Sequence, residues 1–425
     1  MPLFKRAPST PKVKPPEASE AEGGDGPTLD ADDLARGVAH LDDKTILSTL
    51  EDRYKQGAIY SSVNRMLIAI NPYKDLGLYT SDKLRLYAEL AAENPPPPHA
   101  YAIGAAAFKG LLAGGSQSIV ITGESGAGKT ETAKRMMQFL AHMAGAAVGD
   151  ATLLARGAQD ASKKLDLASP ADLHVQLLQT NVVMEAFGNA RTTMNDNSSR
   201  FGKFLAVQYD ASAKLLGAQI NTYLLEKTRV VQRGDNECSF HVMYMLVLGM
   251  PASELGQLEL KADLEAYRYA RVQGEPVDPA GREGISWPVQ LEEVRDTLVN
   301  AVGLSQTDVW ATLKVLAAIL HCGSIDFATP TSGHTSAGAA LAAAAMLPLR
   351  SLARLLGVDA GKLCDALTTR CIRAGNEWVT KPNTTAEAMN LCDALGKALY
   401  ARIFDRVVAA VNSAMGLGRG GAGGP

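Results

Sequence analysis

The sequence predicts an α/β fold, and three observations carry that prediction. A β-branched run at 116–122 leads through a Gly-rich turn into a helix-forming stretch at 130–143. Other strand-like runs, at 63–70, 204–209 and 218–225, are interleaved with stretches of helical periodicity. Hydrophobic residues make up 46% of the 425, enough apolar material for a sizeable core. That length suits two or three domains, or one large composite unit.

Composition excludes several function classes. The 42 Lys and Arg nearly balance the 45 Asp and Glu, a net charge of -3, so no global basic field for nucleic acid exists. The five cysteines are odd in number and form no CxxC pair. This argues against a disulfide framework or a zinc site and fits a reducing, cytoplasmic setting. No apolar stretch follows Lys5 and Arg6, as a secretory signal requires. The longest apolar runs, 242–250 and 339–349, fall short of the ~20 residues of a membrane span.

The elements follow in order. Residues 1–38, rich in Pro, Lys, Glu and Gly, read as a disordered leader. Asp42 or Asp43 caps a helix that carries Ile46, Leu47, Leu50 and Tyr54 on one face. A buried strand at 63–70 runs into the turn Asn71-Pro72. Four prolines, Pro95 to Pro98, break the chain before a helix at 101–112, which Gly114-Gly115 ends. The run at 116–122 is a buried strand, followed by the helix at 130–143. Residues 144–170 read as a surface loop and 173–187 as an amphipathic helix. Two strands, 204–209 and 218–225, turn near Ala211-Ser212. Buried helices are expected at 239–248 and 309–321, a flexible insertion at 328–345, and a long helix at 386–412 bearing Leu391, Leu395, Leu399, Ile403 and Val407. His174, His241 and His321 sit among apolar residues and read as packing histidines.

The strongest chemical signal is Gly123-Glu124-Ser125-Gly126-Ala127-Gly128-Lys129-Thr130, a full G-x-x-x-x-G-K-[ST] match between a strand and a helix. The glycines let the backbone curl so that successive N–H groups point at phosphate oxygens. The helix beginning near Lys129 adds its positive end. Lys129 brings a charge to the β- and γ-phosphates, and Thr130 brings a hydroxyl to Mg²⁺. Nucleotide phosphate binding follows, with kinases, pumps, motors and switches all still open. A second loop, Asn195-Asp196-Asn197-Ser198-Ser199-Arg200-Phe201-Gly202-Lys203, combines amides, paired hydroxyls and a cation. By composition alone the capped turn is the favoured reading.

Together these segments resemble the myosin motor head. The GESGAGKTE loop, the EAFGNA lead-in at 185–190 and NDNSSRFGK at 195–203 occur as in that family. Segment 71–79 (NPYKDLGLY) resembles its purine-binding loop. YLLEKTRV at 223–230, FHVMY at 240–244 and LHCG at 320–323 resemble three further family motifs, in family order. The resemblance covers about residues 40–412. It implies a P-loop NTPase of myosin type, a mixed central sheet flanked by helices, incomplete at its C-terminal side. It implies ATP and Mg²⁺ as ligands and actin filaments as partner, in a cytoskeleton-associated protein.

By that resemblance Asn71, Pro72, Tyr73, Lys74 and Tyr79 contact the adenine side, and Gly123 to Thr130 hold the phosphates, with Glu131 following. Asn195 touches phosphate, Ser198 positions the attacking water or γ-phosphate, and Ser199 joins Thr130 as a Mg²⁺ ligand. Arg200 forms a salt bridge that closes the site. Asn181-Val182, Cys238-Ser239 and Met194 depart from the family pattern without touching a phosphate contact. Residues 371–381 read as a hairpin with a Gly-Asn turn and an exposed Trp378. In the family this region faces actin, so Arg373 to Lys381 are the candidate contact.

The family's next nucleotide segment, D-I-x-G-F-E, has no counterpart in the 425 residues. Three expectations follow: Arg200 lacks its carboxylate, hydrolysis is impaired, and the strand at 116–122 has an unpaired edge that leaves the chain marginally stable. A non-hydrolysing Mg-nucleotide-binding or actin-associated module is therefore the alternative to an actin-activated ATPase. The expected division is a leader at 1–38, a first motor subdomain at 39–143, a surface loop at 144–172, an upper 50-kDa-like subdomain at 173–412 and a Gly-rich tail at 413–425. Light chains, class and cargo are encoded outside these motifs.

Overall fold

The computed structural model describes residues 32–34, 42–90, 96–146, 170–328 and 338–416. Most of the expected leader, most of the 144–172 loop, residues 329–337 of the insertion and the tail beyond Gly416 lie outside them.

The first helix, α1 (Asp43–Lys55), starts where a local acceptor meets an orphan donor: Asp42 Oδ1 accepts from the Thr45 N–H at 2.7 Å. Leu47 faces solvent, so its place on the apolar stripe is not realised. The expected single strand at 63–70 is instead a hairpin, β1 (Tyr60–Val63) with β2 (Met66–Ala69). Asn64, at φ +55, takes the left-handed turn position that asparagine tolerates. Residues 32–34, expected within the disordered leader, pack here. Leu34 is buried, and the Asp32 carbonyl accepts from the Ser62 N–H at 2.8 Å.

Beyond α2 (Ser81–Leu90), α3 (Ala100–Leu112) packs along α4 (Lys129–Ala146), and Tyr101 stacks on Phe139 at 5.1 Å. Between α3 and α4 the expected buried strand is absent. Residues 116–122 carry no ladder partner among the described residues, and Val120 is 87% exposed. A β-branched sequence becomes a buried strand only when neighbours reach it. Here only Ile121, near the end of the run, is half-buried, against Ile59, Tyr60, Ala100 and Met136.

α5 (Pro170–Gly188) leads through the short β3 (Asn189–Ala190) and β4 (Ser198–Ser199) to a long hairpin, β5 (Gly202–Tyr209) with β6 (Leu215–Tyr223). Its turn is held by Asp210 Oδ1, which accepts from the Ser212 and Lys214 N–H groups. The main core forms around α6 (His241–Gly249), which is buried almost throughout, as its largely apolar sequence requires. α7 (Ala252–Gln257), α8 (Trp287–Asp296) and α9 (Gln306–Gly323) close around it.

The ends of the expected flexible insertion are ordered. β7 (Phe327–Ala328) pairs with β8 (Ala340–Leu341), and α10 (Met346–Leu356) and α11 (Ala360–Thr368) follow. Next comes an exposed hairpin, β9 (Thr369–Ala374) with β10 (Glu377–Pro382), in which Gly375 holds φ +65 at the first turn position. α12 (Thr385–Ala414) begins with a reciprocal capping box between Thr384 and Glu387. Tyr400 stacks on Phe240 at 4.6 Å and gives its hydroxyl proton to the Phe187 carbonyl at 2.7 Å. Asn412 bridges to both backbone groups of Ile220 on β6. Leu391, expected on the apolar stripe, is half-exposed.

The described residues thus mix helices with five two-stranded antiparallel pairs. The expected mixed central sheet is not among those pairings. No described helix is long and apolar enough to cross a membrane.

Candidate nucleotide site

Two loops meet at the N-terminus of α4. The first, 123–130, is shaped by glycines in left-handed backbone. Gly126 lies at φ +82 and Gly128 at φ +88. A Cβ on Gly126 would come within 3.4 Å of the Tyr73 hydroxyl and 3.6 Å of the Met194 carbonyl, so the glycine lets two other segments close in. Lys129 folds back across the loop. Its ammonium donates to the Gly123 and Glu124 carbonyls at 2.7 Å each, which keeps one N–H for a ligand.

The second loop, 192–200, is tied by its own side chains. Thr192 Oγ1 accepts from the Asn195 N–H at 3.2 Å, and Asn195 Oδ1 accepts from the Asn197 N–H at 3.0 Å. Hydroxyls join the two loops. Ser125 Oγ and Ser198 Oγ share a hydrogen bond of 2.6 Å, and Thr130 Oγ1 lies 3.4 Å from Ser199 Oγ. Ser198 is buried and also bonds Thr192 Oγ1 at 3.0 Å. The geometry thus brings together Ser125, Lys129, Thr130, Asn195, Ser198 and Ser199, the hydroxyl pairs joining positions 73 and 69 apart in the sequence.

The third expected segment, 71–79, divides. Asn71 Nδ2 donates to the Gly126 carbonyl at 2.7 Å, so this loop braces the phosphate loop. Tyr73 and Lys74 are exposed beside it, and Pro72 is half-exposed. Tyr79 points inward instead. Its hydroxyl pairs with that of Tyr60 at 2.5 Å, and the Arg135 guanidinium lies over its ring at 4.6 Å. Glu131 is occupied in an ion pair with Arg135, one helical turn on.

Sequence reasoning did not single out His99. It caps α3 by accepting from the Tyr101 N–H with Nδ1, while Nε2 reaches the Leu78 carbonyl at 3.1 Å. Burial among Tyr60, Tyr79, Tyr87 and Tyr101 pushes its pKa down to about 4. Its position just before a helix was the available signal.

One expectation is overturned. Arg200 does not lack a carboxylate: its Nε meets Glu226 Oε2 at 2.6 Å. The same oxygen takes Arg229 Nε at 2.8 Å, and Arg229 continues to Glu237 at 3.0 Å. Burial pushes the Glu226 carboxyl up, but the hydrogen bonds from Arg229 and Arg200 outweigh it and leave the group below its ordinary value. The partner comes from the turn after β6, 26 positions along, which no local pattern announces. His241 is also more than a packing residue, because its Nε2 reaches Asn197 Oδ1 at 3.1 Å. Burial holds the His241 pKa well below its ordinary value. His321 does pack, with Nε2 on the Leu258 carbonyl. The side-chain surroundings of His174 lie outside the described residues.

The donor set fits a Mg-nucleotide. Two oxygens on adjacent corners of an octahedral Mg²⁺ site stand about 3 Å apart, close to the Thr130–Ser199 separation. The left-handed glycines open a cradle that side chains would fill. No cluster of His, Cys, Asp or Glu able to hold a metal occurs among the described residues.

Known proteins resemble the chain along most of its length. The family model described as "Myosin head (motor domain)" matches residues 31–420. Human Myosin-14 is 35% identical over 408 residues, which is 95% of this chain and 18% of that protein. Unconventional myosin heavy chain 6 of Caenorhabditis elegans is 34% identical over 88% of this chain and 16% of its own length. Myosin-3 of Arabidopsis thaliana is 33% identical over 91% of this chain and 30% of its own. The chain therefore spans less than a third of the length of each of these relatives.

Proposed function

The chain belongs to the myosin head (motor domain) family, and from that premise we propose that it is the ATP-gripping part of an actin-based cytoskeletal motor. The observation that carries this reading is the apposition of two hydroxyl pairs, Ser125 with Ser198 and Thr130 with Ser199, across one glycine-lined cradle. ATP and Mg²⁺, when bound, supply the phosphoanhydride bond and the charge that neutralises it.

The chain's own residues then have the following roles. Gly123, Glu124, Ser125, Gly126, Ala127 and Gly128 present backbone N–H groups to the phosphates. Lys129 exchanges a loop carbonyl for phosphate oxygen. Thr130 and Ser199 hold the metal. Asn195 contacts phosphate, Ser198 orients the reacting end, and Arg200 supplies the closing ion pair. Asn71, Pro72, Tyr73 and Lys74 border the purine side. Tyr79 supports that border from within, because its hydroxyl is engaged by Tyr60.

The division at 39–143 and 173–412 is part of the proposal. It is supported by separate apolar clusters around Tyr101 and Phe139 on one side and Phe240 and Tyr400 on the other. So is actin contact through the 371–381 hairpin, where Trp378 is 74% exposed opposite Arg373, with Arg370 and Lys381 paired on the other face. A cytoplasmic, cytoskeleton-associated setting goes with that partner.

Nucleotide binding without turnover is the second reading. The 116–122 segment favours it, because the backbone leading into the phosphate loop has no ladder partner among the described residues. Fluorescent-nucleotide binding with wild type and Lys129→Ala tests the shared claim, and no binding by wild type would overturn both readings. Steady-state phosphate release with and without filamentous actin separates them. Actin-stimulated turnover supports the motor, and binding without turnover supports the second reading.

A further inference from the structure

The loop that faces the phosphate cradle is held from behind by one amide. Asn197 engages both ends of its side-chain amide. Its Oδ1 accepts from Asn189 Nδ2 at 2.9 Å and from His241 Nε2 at 3.1 Å. Its Nδ2 donates to Glu185 Oε2 at 3.1 Å. The carboxylate only accepts, so Nδ2 must face it, and Oδ1 must then face the two donors. This assigns the proton of His241 to Nε2.

The three partners come from three elements: Glu185 from the last turn of α5, Asn189 from β3 and His241 from the first residue of α6. Asn189 and His241 are buried, so an unmade bond at either would leave a buried polar group unpaired. The next residue after Asn197 is Ser198, whose hydroxyl meets Ser125, and the one after is Ser199, which faces Thr130.

We propose that His241 is a positioning residue: by donating to Asn197 it fixes the 195–199 loop so that Ser198 and Ser199 meet the phosphate loop. The inference rests on the nucleotide-binding reading for its consequence but not for its geometry. It predicts that loss of the donor affects the metal-linked part of nucleotide affinity, because Ser199 reaches the ligand through Mg²⁺. Contacts of the 123–130 loop with phosphate do not pass through Asn197 and keep their strength.

The test compares wild type, His241→Leu (similar bulk, no donor), His241→Gln (amide donor near the Nε2 position) and Asn197→Asp (no proton for Glu185). N-methylanthraniloyl-ADP is titrated in Mg²⁺ and in EDTA. In the ligand-free protein, hydrogen exchange is followed over residues 195–199. His241→Leu and Asn197→Asp should lose about tenfold affinity in Mg²⁺ and stay within about twofold in EDTA. Both should exchange faster over 195–199, and His241→Gln should recover most of both effects. Equal losses in Mg²⁺ and EDTA, or wild-type exchange in His241→Leu, would overturn the proposal. If wild type binds no nucleotide, the functional reading fails, and the exchange arm alone decides the inference. Should His241→Leu not fold, His241→Met, which also lacks the donor, is measured in its place: faster exchange over 195–199 upholds the inference, and unchanged exchange overturns it.

Discussion

Glu226→Gln removes one negative charge from the point where Arg200 and Arg229 converge. A single carboxylate oxygen takes both guanidinium Nε groups, at 2.6 and 2.8 Å. An exposed ion pair contributes about 0–1 kcal/mol, whereas truncating one partner of a fully buried pair costs about 3–5 kcal/mol. Glu226 lies between these limits, with its side chain 33% exposed and that of Arg229 only 4%. Arg229 also keeps Glu237 at 3.0 Å and the Cys238 carbonyl at 3.1 Å, which softens the loss. The expected cost is about 2 kcal/mol. Urea unfolding at pH 7 should show it as a lower midpoint at an unchanged m-value. The pH dependence has a definite sign. Glu226 holds its proton less tightly in the folded state than its ordinary value implies, so its stabilisation is present above about pH 4.3 and is lost as pH falls through the lowered value. The gap between wild type and variant should therefore be full at pH 7 and close on acidification below about pH 4. A cost under about 0.5 kcal/mol at pH 7, or a gap that persists at acid pH, would refute the assigned network.

Three further outcomes are expected. Gly126→Ala places a Cβ at φ +82 and 3.4 Å from the Tyr73 hydroxyl, so it should cost about 1–2 kcal/mol and weaken nucleotide binding, read by titration and melting together. His99 has its pKa depressed to about 4, so the unfolded chain takes up the proton first and wild-type stability should drop by about 3 kcal/mol from pH 7 to pH 4 through this group. His99→Asn keeps a capping acceptor without the titration and should flatten that part of the profile in pH-dependent melting. Val120→Lys, at an 87% exposed site, should leave the midpoint within about 0.5 kcal/mol and reduce aggregation in light scattering, because it charges an exposed β-branched segment.

Local chemistry was legible in proportion to how close its partners lie in sequence. Asp42 and Thr384 cap their helices through atoms three residues away, so each cap is visible in a four-residue window. The phosphate loop is legible for the same reason: left-handed glycines, a lysine and a threonine act within eight positions. The hairpin at β1 and β2 was misread as one strand because Asn64 and Arg65 sit inside an otherwise apolar run, and only the turn's φ separates the two readings. Tyr79 was expected at the ligand on the strength of a motif, but its hydroxyl is engaged by Tyr60 and its ring by Arg135.

What the amino-acid order by itself determined is the set of elements whose geometry is closed by covalent neighbours: the glycine cradle, the capped helices, the exposed Gly375 turn and the largely apolar helix that had to be buried. What only the tertiary structure decided is pairing across distance. Arg200 meets Glu226, Asn197 gathers Glu185, Asn189 and His241, and Ser198 and Ser199 arrive opposite Ser125 and Thr130. The strand-like run at 116–122 is the converse case, with a sequence that calls for a strand and no ladder partner among the described residues to complete one. The physical reason is common to all of these. Propensity acts through a residue's own backbone, whereas a hydrogen bond, an ion pair or a buried face exists only when a second group is delivered to it by the rest of the fold.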